Sequence, residues 1–174
     1  MGLIIKDALP KFKKGYPTVS DKYDVAGGVL SGTSNLYFGQ MVKSATTKGY
    51  FAAVDATQTI AAVTDIKGIC LATNVKLNEA YGGEDVKTVP GEAFNLMIRG
   101  FMAIELAATA KVAEVVANAS VYATAAGGFT TASDTTALKS GSTAAPIPNM
   151  VFTGEIENIG TTASPKYLAE IYIK

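Results

Sequence analysis

From residue 36 onward the apolar positions fall into short runs broken by glycine, serine, threonine and charged residues, the rhythm of β-strands. Residues 36–43 (LYFGQMVK), 50–54 (YFAAV) and 67–72 (KGICLA) read as strands, and residues 86–89 begin another. The strongest signal lies at 94–106. Phe94, Leu96 and Ile98 alternate with Asn95, Met97 and Arg99, and after Gly100 a second apolar run extends to Leu106. A lone glycine inside such a run predicts a bulge or a close backbone approach. Residues 120–123 form a strand, 126–128 a turn, and 129–131 the next strand. Residues 150–157 and 167–173 close the pattern. In the last run Leu168, Glu170 and Tyr172 share one side, and Ala169, Ile171 and Ile173 the other. Val112, Val115 and Val116 have helical spacing, but valine is a weak helix former, so residues 111–119 are a short helix or an irregular turn. Residues 78–85 and 133–148 read as loops by their turn-forming composition. There is no fixed repeat. The expected fold is mainly β, a small antiparallel barrel or sandwich.

Residues 1–35 break this rhythm. Leu3, Ile4, Ile5, Leu9, Phe12 and Tyr16 follow neither a period of 2 nor one of 3.6, and Pro10 and Pro17 oppose a continuous helix or a central strand. Lys6, Lys11, Lys13, Lys14 and Lys22 give the segment a basic bias. The chain therefore divides into an extended N-terminal arm, 1–35, and a β-rich domain, 36–174. A solvated tail is the alternative, but the apolar content is high for one. The arm is expected to order on a partner, with Ile4, Ile5, Leu9, Phe12 and Tyr16 as anchors and Lys11, Lys13 and Lys14 supplying attraction.

Composition narrows the chemistry. The 174 residues carry 15 Lys+Arg against 15 Asp+Glu, so no basic excess points to nucleic acid. Histidine is absent, which removes the commonest general base and metal ligand. The single cysteine, Cys70, sits in an apolar run and reads as a small buried hydrophobe. Glu84/Asp85 and Glu155/Glu157 are the local acid clusters, and both read as solvated surface. There is no phosphate-loop pattern and no nucleophile elbow. No apolar run approaches the ~20 residues of a membrane span, and Leu3-Ile4-Ile5 is too short for a signal-peptide core. The expectation is a protein without catalysis, metal or cofactor, with no nucleic-acid or membrane partner, made in a cytoplasm. Arg99, the sole arginine, is an exposed strand residue or part of an inter-subunit ion pair.

Several segments, in order, resemble the phage structural cement, or head decoration, proteins. Phe38-Gly39-Gln40-Met41-Val42 is similar to the family's early strand, and Gly68-Ile69-Cys70-Leu71-Ala72-Thr73 to its glycine-isoleucine-alanine-leucine strand. Pro90-Gly91-Glu92 with residues 95–104 resembles its central hairpin, and Ser120-Val121-Tyr122-Ala123 before Gly127-Gly128-Phe129-Thr130 its following segment. Residues 152–155 and 169–173 resemble its closing strands. The longer spacing from Gly91 to Phe94, residues 111–119 and the 133–148 loop depart from the pattern. The resemblance implies a non-enzymatic virion protein on the outer surface of the head. It would bind the major capsid protein, clamp neighbouring subunits and form homotrimers. Met97, Arg99 and Met102 are then candidates for the subunit interface, and the arm for capsid binding. A receptor-binding or fibre-like virion protein is the alternative.

Overall fold

The computed structural model describes residues 14–18, 23–72 and 87–174. β1 (Asp24–Ser31), β3 (Met41–Ser44), β4 (Tyr50–Ala53), β5 (Ile66–Cys70) and β7 (Ala93–Glu105) pair in the order β1-β4-β3-β5-β7. β1 also pairs with β7, which closes a small five-strand barrel. β7 then continues into a second sheet with β13 (Tyr167–Ile173), β12 (Pro146–Asn158), β8 (Ser120–Ala123) and β9 (Phe129–Thr130). Two short pairs complete the described strands: β2 (Leu36–Tyr37) with β6 (Lys87–Thr88), and β10 (Lys139–Ser140) with β11 (Thr143–Ala144). The mainly β expectation and the barrel are both met. One barrel pair, β1–β4, is parallel rather than antiparallel.

Two cores follow from this layout. Leu30, Leu36, Val42, Ala53, Cys70, Phe94 and Leu96 fill the barrel. The rings of Phe51 and Phe94 meet edge to face at 6.0 Å. Gly28 is required there, since a Cβ would lie 2.4 Å from the Phe51 ring. The larger core lies between the barrel's outer wall and the second sheet, and includes Met41, Ile69, Ile104, Val121, Phe152 and Ile171.

β7 serves both cores, and this overturns one expectation. Met97 and Met102 were expected at exposed strand positions, free for a second subunit. Both are 0% exposed and belong to the larger core of their own chain. Their odd separation puts them on opposite faces of a regular strand. The strand changes parity between them: the pairing with β1 is irregular between Asp24 and Val25, Ile98 and Arg99 are both exposed, and Gly100 has φ 122°. A bulge of this kind turns one strand toward two cores.

The chain start also differs from the sequence reading. Residues 24–31, assigned to the arm, are β1. Residues 14–18 run antiparallel along β7 beyond β1. The Gly15 N–H donates to the Ala103 carbonyl (2.9 Å), Ala103 N–H to the Tyr16 carbonyl (3.2 Å) and Thr18 N–H to the Phe101 carbonyl (3.1 Å). These bonds occupy the β7 edge that β13 leaves open. Residues 133–148 are likewise not one loop. They contain the β10–β11 hairpin, turned at Gly141 with φ 68°, and the first residues of β12. Within 111–119 the structure has a single 3-10 turn, Val112–Glu114.

Candidate functional site

Alternation along the barrel wall decides which side chains face out. Because Leu30 and Phe94 point inward, their neighbours in sequence point to solvent. Val29 pairs with Tyr50 of β4 and with Ala93 of β7, and Gly27 pairs with Asn95. With Val25 these residues form an outer face across β4-β1-β7 that carries no charge. Tyr50 and Val25 are each 41% exposed, and Gly27 has open space where a Cβ would stand. Tyr23 and Ile98, close in sequence to Asp24 and Arg99, are also exposed. An uncharged β surface with exposed tyrosine and valine suits contact with another protein.

Arg99 marks the end of this face. Its guanidinium lies 4.0 Å from the Asp24 carboxylate, and both side chains are 63% exposed. A pair so open to water is worth about 0–1 kcal/mol.

A cleft of about 280 Å³ opens beside the face, between barrel and second sheet. Ile66, Gly68, Ile98, Ile147 and Ile173 line it, with Lys67 and Lys174 among its polar residues. No histidine, cysteine or carboxylate side chain lines it. Among the described residues no three His, Cys, Asp or Glu side chains are grouped so as to hold a metal ion.

The one buried carboxylate among the described residues is structural. Asp134 is 4% exposed. It accepts hydrogen bonds from Thr109 Oγ1 (2.6 Å), Thr130 Oγ1, Thr136 Oγ1 (2.7 Å) and the Thr136 N–H (2.8 Å). Burial alone would raise its pKa, but these donors outweigh it and hold the carboxyl down to about 2, from 3.8. Asp134 is thus an acceptor that ties β9 to two loops, with no proton to give at neutral pH. A folded-state pKa below the unfolded one means that its stabilisation is complete above about pH 4 and is lost as pH falls through about 2. Asp55 behaves alike: its desolvation is outweighed by hydrogen bonds from Ser34, Thr57 and Gln58, again to about 2. Asp134→Asn is expected to cost about 2–3 kcal/mol at pH 7 and to flatten the acid limb of a stability–pH curve measured by urea unfolding. An unchanged acid limb would show that the carboxylate is not the staple described.

Of the predicted arm residues, Ile4, Ile5, Leu9, Lys11, Phe12 and Lys13 lie outside the described residues. Lys14 and Tyr16 are held on the chain's own body. The Lys14 amine lies 3.0 Å from Glu105 Oε2, and burial raises the Tyr16 pKa. The uncharged outer face was missed by sequence reasoning, although a signal existed: residues 25–42 contain no charged side chain.

Comparison with known proteins agrees with the order of segments. The family described as "Structural cement protein (E217 gp24/Pam3 gp6)" matches residues 6–174. A chain from a structure titled "The capsid of Myoviridae Phage XM1" superposes with a TM-score of 0.54 at 18% identity, covering 100% of this chain and 97% of that one. At that identity the likeness is one of fold. No curated protein matches.

Proposed function

The chain belongs to the phage structural cement protein family, and from that premise we infer that it sits on the outer surface of a phage head and clamps neighbouring major capsid subunits. The family match gives it a structural role in a phage capsid. That match, spanning nearly the whole chain, is the observation that carries the reading. The reading is of a non-enzymatic protein that acts as a homotrimer. Many copies on a lattice make modest single contacts strong in sum.

The outer face of β4-β1-β7 is the proposed docking surface. It is uncharged and apolar, and it stands on a closed barrel that needs no rearrangement to present it. Arg99, exposed at its end, is the proposed polar contact to a neighbouring subunit.

Gly27→Glu is the sharpest test of this surface. The position has open space and an ordinary backbone conformation, so the variant is expected to fold with unchanged stability. Seating an unpaired carboxylate in the contact is expected to weaken capsid binding about 10- to 100-fold. Binding equal to wild type would remove this face from the interface. Quantitative mass spectrometry of purified particles tests the role itself. Cement predicts a copy number comparable to that of the major capsid protein, whereas a handful per particle would favour a fibre.

A further inference from the structure

The barrel closes over only part of β1. Leu30 N–H donates to the Glu92 carbonyl (2.9 Å), in the same register that sets Ala26 opposite Leu96 and Gly28 opposite Phe94. Directly opposed residues of an antiparallel pair alternate between hydrogen-bonded and non-hydrogen-bonded. Ala26, Gly28 and Leu30 therefore turn their backbone groups toward β7, and Val25, Gly27 and Val29 turn theirs away. Two further bonds fix this parity. Val29 N–H donates to the Gly49 carbonyl on the β4 side (3.1 Å), and the carbonyl of Asn95, opposite Gly27, accepts from Leu71 N–H on the β5 side (2.9 Å). β4 begins at Tyr50 and pairs with β1 only from Val29 to Ser31. Among the described residues no strand pairs with that side of residues 25–27, and Val25 and Gly27 are both exposed.

An open strand edge is a template for another strand, and proteins ordinarily blunt it with charge, proline or a bulge. Residues 25–30 (VAGGVL) hold no charge and no proline, and the irregularity of β1 lies before Val25. We propose that this edge takes an extended segment of the major capsid protein as an added strand, a reading that rests on the cement role inferred above. The edge's own chemistry names the class of occupant, since N–H and C=O groups at strand spacing are matched by extended backbone. Val25 and Gly27 each bring one donor and one acceptor to it. Gly27 has open space where a Cβ would stand, which lets an incoming chain approach closely. Edge length selects the source. An edge of three residues is about 10 Å long. Pairing two free copies along it buries far less than the roughly 1,000 Å² that a stable interface needs. A capsid segment has no such requirement. The adjoining outer face of β4-β1-β7 docks on the same subunit, so strand addition there is intramolecular in effect.

Comparing Gly27→Pro with Gly27→Val separates strand addition from contact through the face alone. The two side chains are similar in size and leave from the same position. Proline alone removes the outward N–H, and it spares the ladder to β7. Proline is tolerated where a strand's N–H faces solvent, so circular dichroism is expected to show both variants folded. On heads that lack the protein, Gly27→Pro is expected to bind about tenfold more weakly than Gly27→Val. Equal binding by the two folded variants would overturn the proposal. Hydrogen exchange of the wild-type chain, read by mass spectrometry on fragments spanning residues 24–28, needs no variant. The Val25 and Gly27 amides are expected to exchange freely in solution and to slow about 100-fold on heads. Unchanged exchange on saturated heads would overturn the proposal and leave the cement role standing. Slow exchange already present in the free protein would give the edge another occupant, a second copy if it grows with concentration and the chain itself if it does not, and either overturns the proposal. Wild-type protein that fails to bind heads would remove the cement role and this occupant together.

Discussion

Replacing Gly15 by valine is expected to leave the protein largely unfolded in moderate urea where the wild type is native. Gly15 has φ 77°, in the left-handed region that costs an L-residue about 1–2 kcal/mol and a β-branched one more. Space is tighter still. A Cβ there would lie 2.5 Å from the Gly39 nitrogen and 2.7 Å from Phe38 Cβ. Gly39 cannot move away easily, because its own N–H donates to the Cys70 carbonyl at 2.8 Å. Ala72 N–H in turn donates to the Gly15 carbonyl, also at 2.8 Å. Strain and overpacking together are expected to cost about 3–5 kcal/mol, a large share of a typical 5–15 kcal/mol stability. Equilibrium urea unfolding reads the loss. A cost under about 1 kcal/mol would mean that residues 14–18 are not seated on β7 as described.

Phe152→Ala is expected to be comparably severe. Phe152 is 1% exposed in the larger core. Its backbone is fixed on both sides, the N–H donating to Ala119 (2.8 Å) and the carbonyl accepting from Asn118 (2.9 Å). With the backbone held, the ring's space cannot close, and a cost of about 3–5 kcal/mol is expected. Phe152→Leu should recover most of it. A lower denaturant midpoint with an unchanged slope would report lost packing alone. An alanine variant within about 1 kcal/mol of wild type would contradict the two-core description.

Local periodicity made some of this fold legible and long-range pairing hid the rest. Strands 120–123 and 167–173 lie where the sequence pattern puts them, because Val121 and Ala123 in one and Ala169, Ile171 and Ile173 in the other follow the period of 2 into the core. β1 was read as arm because Gly27 and Gly28 carry no side chain to alternate, and its partner β7 lies far along the chain. Gly28 is there for the Phe51 ring, a contact no local pattern announces. Met97 and Met102 were misread for a related reason: a bulge changes strand parity, and sequence marks it only by Gly100. Turn-forming residues hid the start of β12 and the Asp134 staple, whose partner Thr109 comes from another loop. The family resemblance was visible in the order of motifs. The uncharged outer face required knowing which alternate residues point outward from a barrel whose closure the sequence did not display.

The central claim is that this chain reinforces a phage head from outside. Purified protein added to otherwise complete heads that lack it, followed by the temperature of DNA release, tests that claim most directly. The account predicts saturable binding and a rise in release temperature of several degrees, diminished for Gly27→Glu in proportion to its weaker binding. Heads that bind the wild-type protein to saturation yet release DNA at an unchanged temperature, or that do not bind it at all, would contradict it.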